Sequence, residues 1–249
     1  LGLSQNIPAR PSPPQLVNDL ADVLNSREEQ ALELKLRYFN DTTSNQIVVV
    51  TVNSLEGSDP AMFAFGIGEK WGVGQKEFDN GIVVLVKPKR SERDKGRAYI
   101  AVGYGLEPAI PDAIGKRIVD NEMIPSFQNN NYYQGLDKGT DVLMALAAGE
   151  ITAQGYNEQT KRSPLAGWVP IIAVLIIVLI IRGGRNRSRT IGRGSSVPFW
   201  TALWLGSSLG GRSHSGSWNN FTGGSSGFGG GFGGFGGGSF GGGGAGGSW

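Results

Sequence analysis

One uncharged apolar run divides this chain into two parts of opposite charge. The 17 residues 165–181 carry no charged side chain, which is near the short end of what a helix needs to cross a hydrocarbon layer about 30 Å thick. Residues 1–158 hold all 21 acidic and 15 of the 23 basic side chains, a net charge of −6, and the remainder carries +8. The run predicts one transmembrane helix, with a buried core segment rich in Ile and Val as the alternative.

The residues on either side of the run predict its orientation. Five arginines follow it within a short distance: Arg182, Arg185, Arg187, Arg189 and Arg193. Because loops dense in Arg stay in the cytoplasm, residues 1–164 are expected outside and the tail of residues 182–249 inside. Residues 1–15 are interpreted as a signal-peptide remnant followed by a Pro-rich lead-in, and residues 151–164 as a linker.

Composition excludes several kinds of chemistry. The chain has no Cys and one His, His214, so disulfides, thiolate catalysis, Cys-ligated metal centres, a Ser–His–acid triad and a multi-His metal centre are not available within it. Catalysis would depend on carboxylates, hydroxyls, Lys or Arg, or on a hard metal ion bound by oxygen atoms. Nucleic acid is not an expected partner, because residues 1–158 are net acidic.

The pattern of residues 16–150 predicts an α/β domain. The spacing predicts helices that start at the capping box 26–29, at Asp59-Pro60, at Pro111-Asp112 and at Tyr132, and β-branched runs predict strands over residues 46–52, 81–86 and 97–102. The first two strands are expected to pair in parallel through a right-handed crossover, and the third to return antiparallel. The predicted fold is a three-layer α/β/α sandwich with a small mixed sheet.

The C-terminal tail is glycine-rich. Residues 183–249 hold 25 of the 41 glycines and few aliphatic residues, which predicts a disordered tail. The alternative is that its spaced phenylalanines, among them Phe232, Phe235 and Phe240, self-associate or contact a partner.

The predicted topology brings two polar loops together. If the third strand runs antiparallel to the second, the loop before the second strand meets the loop after the third. The residues expected at this rim are Asp79, Asn80, Tyr104, Glu107 and Asp112. Their carboxylate and amide oxygens suit Ca²⁺ or Mg²⁺, which predicts a metal site at Asp79, Asn80, Glu107 and Asp112.

Simpler roles exist for the same residues. A backbone turn explains Asp79-Asn80-Gly81, and helix capping explains Asp112. Open α/β sheets also tend to bind ligands beyond the carboxyl ends of parallel strands, where residues 53–59 lie.

Several motifs in the same order resemble the TPM-domain family over roughly residues 15–150. They are residues 17–24, Gly68-Glu69-Lys70-Trp71-Gly72-Val73-Gly74, Asp79-Asn80-Gly81-Ile82, Val102-Gly103-Tyr104-Gly105-Leu106-Glu107 and the ending Gly-Gly-Gly-Gly-Ala-Gly-Gly-Ser-Trp249. The apolar run and the glycine-rich tail resemble the bacterial membrane-anchored branch of that family.

The resemblance implies an exported α/β/α domain on the bacterial plasma (inner) membrane, held in lipid by residues 165–181. Plant relatives of the thylakoid lumen are associated with acid phosphatase activity and photosystem II repair, some bacterial relatives bind calcium, and LemA-type membrane proteins are implied as partners. Asp79, Glu107 and Asp112 fall in intact motifs and are implied as site residues. Asp19 and Asp22 also match as binding residues, although a turn and a helix start are strong alternative explanations for them.

Two functions follow from these observations. One is a binding module that assists the assembly or repair of envelope membrane complexes, with or without a divalent cation. The other is a metal-dependent acid phosphatase in which an ion held by Asp79, Glu107 and Asp112 activates water. The outer domain has no His to serve as general acid or base, which favours the binding module, and no catalytic residue is assigned.

Overall fold

Two apolar strands form the centre of a five-stranded mixed sheet. The computed structural model describes residues 7–161 and 232–249, which belong to one compact unit. Strand β2 (Gln46–Thr51) lies parallel to β3 (Gly81–Lys87), with Ile47 opposite Ile82, and β3 pairs antiparallel with β4 (Arg97–Gly103). Every residue of β2 is buried, as expected for β-branched strands that are covered on both faces. The predicted directions of these three strands are confirmed.

Two further strands complete the sheet in the order β1-β2-β3-β4-β5. Strand β1 (Val17–Asp19) is parallel to β2, and β5 (Phe240–Ser248) is antiparallel to β4. The pattern of the sequence predicted neither. Strand β1 has only three residues, too few to show a period, and β5 consists mainly of glycine, which has a low strand propensity.

Helix α1 (Ser26–Thr43) packs against β1 and β2 and buries the predicted face of Leu32, Leu36 and Phe39. Its capping box lies one residue earlier than predicted. Asn25, not Ser26, is the N-cap, because its side chain accepts from the backbone of Glu28, whose carboxylate in turn accepts from Asn25 N.

Helix α2 (Pro60–Trp71) connects β2 to β3 and packs against β3, β4 and β5. Asp59 caps it and Pro60 occupies its first turn, as predicted. Its buried face includes Phe63, Ile67 and Trp71.

The remaining helices follow β4 in the chain. A 3₁₀ turn (Tyr104–Leu106) leads to α3 (Asp112–Ile118), a π-helical turn (Val119–Met123), α4 (Ile124–Phe127) and α5 (Tyr132–Ala147). Helix α3 packs on β5 and α5, and α5 also contacts α1. The fold is therefore of the predicted α/β class, a mixed sheet with helices.

The region predicted to be a linker contains a helix. Helix α6 (Ala153–Lys161) buries Tyr156, whose hydroxyl donates to Glu122 Oε1 at 3.0 Å. The ordered unit thus extends past residue 150, because Tyr156 joins the core and Ile151 and Ala153 pack against it.

The prediction of a disordered tail is wrong for the end of the tail. Residues 240–248 form β5, and Phe235, Phe240 and Ala245 are buried. Composition did not predict this strand, because the segment builds no core of its own. It adds to an existing sheet edge, where the absence of side chains lets the main chains approach closely.

Other predictions fall on residues outside the described part. They are the signal-peptide remnant within residues 1–6, the apolar run 165–181 and the arginine-rich stretch that follows it. Within residues 7–161 and 232–249, no helix is long and apolar enough to cross a membrane.

Candidate functional site

The two polar loops predicted to form a rim do meet. Gly105 N donates to Asp79 O at 3.1 Å, and a Cβ added at Gly105 would lie 1.8 Å from Phe78 O. A Cβ at Gly103 would lie 2.3 Å from Asp79 O. The glycines of the Gly-Tyr-Gly motif therefore allow the two main chains to touch, and this contact brings the loop of Asp79 beside Tyr104 and Glu107.

Asn80 serves the fold at this position. Its side chain is buried, its Oδ1 accepts from Gln75 N at 2.8 Å, and its Nδ2 donates to Ser44 O at 2.9 Å. These bonds close the turn before β3 and tie it to the end of α1. The amide oxygen that the sequence offered to a cation is thus already used.

Asp79 and Asp112 both accept hydrogen bonds from the C-terminal segment. Asp79 has a φ of 48°, a conformation that Asp tolerates better than most residues, and its Oδ1 accepts from Ser239 N at 2.7 Å. Asp112 Oδ1 accepts from Gly244 N at 2.6 Å. Both partners lie more than a hundred residues away in the chain, so no local pattern reveals them.

Glu107 and Tyr104 also border this segment. A Cβ at Gly243 would lie 2.5 Å from Glu107 Oε1 and 3.4 Å from Asp112 Oδ1. A Cβ at Gly241 would lie 1.9 Å from Tyr104 Cε1. Asp79, Glu107 and Asp112, which we call the acidic rim, therefore lie along the path of β5.

The edge of β4 and the side chains beside it form a groove that holds β5. In register, Ala98 lies opposite Gly247, Tyr99 opposite Gly246 and Ile100 opposite Ala245. The strand groove consists of the β4 edge, the acidic rim, and the side chains of Tyr99, Tyr104 and Ile124. A Cβ at Gly246 would lie 2.6 Å from Tyr99 Cδ2 and 2.8 Å from Ala98 O, and one at Gly247 2.6 Å from Ile124 Cδ1. The groove accepts a strand that is almost free of side chains.

Burial within the groove perturbs one of its tyrosines. The pKa of Tyr99 is raised, first by burial and then by the negative charges of Asp112 and Asp59. Its ring packs edge-on against Phe65 of α2, with centroids 5.8 Å apart. The ring of Tyr99 thus forms a wall of the groove beside Gly244 and Gly246.

An aromatic pocket holds the last residue of the chain. Trp249 N donates to Gly96 O at 3.2 Å, and Gly96 N donates to Trp249 O at 3.0 Å. The indole lies 5.0 Å from the ring of Phe127 and 6.4 Å from that of Tyr132, between centroids. A Cβ at Gly96 would lie 2.2 Å from the indole, so a glycine is required under the ring.

A second aromatic anchor lies at the start of β5. Phe240 is buried against Gly68 of α2, where a Cβ would lie 2.5 Å from its ring. Sequence reasoning missed Gly68, Tyr99, Gly96 and Trp249 as functional residues. Gly68 and Trp249 lie in two of the motifs shared with the TPM-domain family, whereas no sequence motif marks Gly96 or Tyr99.

The two other predicted binding residues lie elsewhere. Asp19 is at the carboxyl end of β1, whereas Asp79 precedes the start of β3. Asp19 Oδ2 accepts from Val23 N and Leu24 N at 2.8 and 2.7 Å, and Oδ1 accepts from the Thr51 hydroxyl. Asp22 has a φ of 53° in the same turn. Both residues shape the connection from β1 to α1, and the structure does not bring them to the acidic rim.

The acidic rim does not have the arrangement of a metal site. In residues 7–161 and 232–249, no group of three or more His, Cys, Asp or Glu side chains is placed to hold a metal ion. Asp79 and Asp112 each use an oxygen to accept a backbone amide, and Asn80 uses its amide oxygen within a turn. Three of the four predicted ligands therefore already accept a hydrogen bond while β5 is in place, and binding of Ca²⁺ or Mg²⁺ stays a prediction.

A known protein family matches most of the α/β domain. A family model described as the TPM domain matches residues 17–146. One curated relative, Protein unc-33 of Caenorhabditis elegans, is 37% identical over 73 residues, which are 29% of this chain and 8% of that protein. The chain thus spans less than a tenth of that relative.

Two solved structures are also similar. The N-terminal domain of a protein from P. gingivalis, determined by solution NMR, has 29% sequence identity and a TM-score of 0.48, and the match covers 55% of this chain and 83% of that domain. The N-terminal domain of the cg2496 protein from Corynebacterium glutamicum has 16% identity and a TM-score of 0.40, with 56% and 80% covered.

Proposed function

Since the chain belongs to the TPM domain family, we propose that it is a binding module whose strand groove takes up an extended, glycine-rich polypeptide. The observation that carries this proposal is the seat of β5 along β4, with Gly244 N and Ser239 N donating to the acidic rim. Strand addition of this kind derives affinity from the main chain and specificity from the side-chain positions. In this groove the side-chain positions select a strand made almost entirely of glycine.

The acidic rim has a clear role in such a module. A carboxylate that accepts a backbone amide forms a hydrogen bond stronger than one between neutral groups. Asp79 binds the amide just before β5, and Asp112 binds one at its middle, so the two carboxylates fix the register of the incoming strand. A phosphate group, in contrast, would be repelled by three carboxylates unless a cation lay between them.

The apolar run and the family resemblance support a proposal for the wider role. We place the module outside the bacterial plasma membrane, anchored by residues 165–181, where it would assist the assembly or repair of envelope membrane complexes. Its membrane partners, such as a LemA-type protein, would contribute an extended segment to the groove. The net acidic charge of residues 1–158 supports a protein rather than a nucleic acid as ligand.

A peptide-binding measurement tests the module. The acceptor is the full chain carrying Gly246→Val, whose own tail competes less well for the groove because a Cβ there would meet Tyr99 and the backbone of Ala98. A fluorescent peptide of residues 232–249 is expected to bind. The same peptide with Gly246→Val should bind about 5- to 150-fold more weakly, since overpacking costs roughly 1–3 kcal/mol.

The matched control is the peptide with Gly233→Val. A Cβ at Gly233 meets nothing within 4 Å, so this peptide should bind as the unchanged one does. Equal affinity of the unchanged and the Gly246→Val peptides, or no binding of either, would contradict the proposed module.

The phosphatase alternative stays a prediction with its own test. Hydrolysis of a generic phosphomonoester is measured with added Ca²⁺ or Mg²⁺ for the unchanged chain and for Asp79→Asn. Loss of hydrolysis in the variant would support a metal held by Asp79, whereas unchanged hydrolysis would remove Asp79 from that mechanism.

A further inference from the structure

Strand β5 is held by few side chains. Six of the nine residues of Phe240–Ser248 are glycine, and its buried side chains are Phe240 and Ala245. Ordering glycine costs more conformational entropy than ordering any other residue, at about 1–2 kcal/mol per residue for the backbone. We therefore expect β5 to open before the core strands of the sheet do.

Nothing in the described fold requires that β5 and its groove belong to the same copy of the chain. The 70 residues 162–231 separate α6 from Phe232, so no short turn ties β5 to its neighbours in the sheet. When β5 leaves, β4 becomes an open edge with unpaired amides and carbonyls, which favours pairing with another strand.

The segment that fits the empty groove is the C-terminus of this chain. Glycine is favoured most strongly at Gly244 and Gly246, where a Cβ would lie 2.4 Å from Ile100 O and 2.8 Å from Ala98 O, both backbone atoms. Phe240 and Trp249 fill the two aromatic sites at the ends. A second copy of the chain carries the same residues in the same register.

We propose that β5 exchanges between copies, so that the C-terminal strand of one chain docks in the strand groove of another. The inference rests on the proposed function, because it uses the same groove. Reciprocal exchange keeps every contact of β5, so the balance between the two arrangements depends on the concentration of the chains. Copies held together in one membrane would exchange most readily.

The absence of Cys makes a direct test possible. Arg97 and Ser248 are register partners, and both are exposed. The neighbouring pair Gly96 and Trp249 exchanges both backbone hydrogen bonds, so Arg97 and Ser248 form a non-hydrogen-bonded pair, whose Cα atoms are about 4.5 Å apart. That separation suits a disulfide.

The experiment mixes two full chains of different tag size, one with Arg97→Cys and one with Ser248→Cys, under mild oxidation. The expected result is a mixed disulfide dimer formed several-fold more than in a control mixture, in which Leu34→Cys replaces Arg97→Cys. Leu34 is 68% exposed on α1 and has no register partner, so it reports random collisions.

A chain that carries both Arg97→Cys and Ser248→Cys separates the possible failures. If the mixture gives no more dimer than the control while this double variant closes a disulfide within one chain, exchange is refuted and the strand groove remains. If the double variant closes no disulfide within or between chains, β5 does not dock, and the proposed function fails with the exchange.

Discussion

Gly105 shows how a single missing side chain positions the acidic rim. Its amide donates to Asp79 O, and the space where its Cβ would lie is occupied by Phe78 O at 1.8 Å. The loop that carries Asp79 and the loop that carries Glu107 are in contact because of this glycine. Any side chain at residue 105 has to separate them.

We expect Gly105→Ala to destabilise the domain. Phe78 O is a backbone atom, so the overlap cannot be relieved by a side-chain rotation, and an overpacked site of this kind costs roughly 1–3 kcal/mol. Thermal unfolding should show a Tm lower by several degrees.

Gly155→Ala is the matched control. Gly155 lies in α6, where a Cβ would be 3.4 Å from Thr152 Oγ1, and Ala favours a helix, so its Tm should be equal or higher. Equal Tm values for Gly105→Ala and the unchanged chain would contradict this account.

Residue patterns predicted where the rim residues lie but not what they do. The predicted antiparallel return of the third strand placed the loop of Asp79 beside the loop of Tyr104 and Glu107, and the structure shows this contact. Strand direction alone decides which loops meet. The role of Asp112 could not be predicted, since its partner is Gly244 in the tail and glycine carries no pattern. Asn80 was predicted as a ligand and instead closes a turn, a role that the Asp-Asn-Gly sequence also suggested.

The elements whose own sequence carries a clear apolar or capping pattern were predictable. The elements that form only through contacts with the rest of the fold were not. Strands β2 and β3 are continuous apolar runs, and α2 has an N-cap followed by Pro, so the local signals agree with the fold. Strand β5 has no local signal, because the edge of β4 supplies its partners. Helix α6 likewise has little apolar signal of its own, and Tyr156, which is 4% exposed, is its one fully buried side chain among the described residues.

The attachment of α6 should weaken at alkaline pH. The pKa of Tyr156 is raised, mainly by burial and then by the charge and hydrogen bond of Glu122. The folded chain therefore keeps this proton where the unfolded chain, with a pKa of about 10, loses it. Stability from Tyr156 is complete below pH 10 and falls as the pH rises above it, by up to about 1.4 kcal/mol per pH unit.

Denaturant unfolding between pH 9 and pH 11 measures this effect. Tyr156→Phe should lose about 1 kcal/mol near neutral pH, for the missing hydrogen bond to Glu122, and should show a shallower decline above pH 10. Tyr99, Tyr132 and Tyr133 also have raised pKa values, so part of the decline should remain in the variant. Identical pH slopes for the two chains would show that Tyr156 is not the titrating group.

At the scale of the whole molecule, β5 makes the two ends of the described chain neighbours. Residues 7–161 and 232–249 share one sheet although 70 residues separate them. Charge patterning could not predict this, since it treats the chain as a line on which an acidic part precedes a basic part. The pairing of β4 with β5 therefore joins the acidic part and the basic part of the chain in one sheet.

We expect residues 34 and 248 to be accessible from the same side of the membrane. Single variants Leu34→Cys and Ser248→Cys, in a chain without other cysteines, are treated on intact cells with a maleimide that does not cross lipid. Both should react, or neither. Reaction of one alone would show that β5 is not paired with β4 in the cell, in its own chain or in another copy of like orientation.

The shared sheet restricts how many times the chain can cross a membrane. Because β5 pairs with β4, Lys161 and Phe232 lie on the same side of any membrane. The chain between them therefore crosses that membrane an even number of times. If residues 165–181 are one passage, a return passage has to be made before Phe232, and the arginines after residue 181 would then lie at the bend of a U-turn rather than at the start of a free cytoplasmic end.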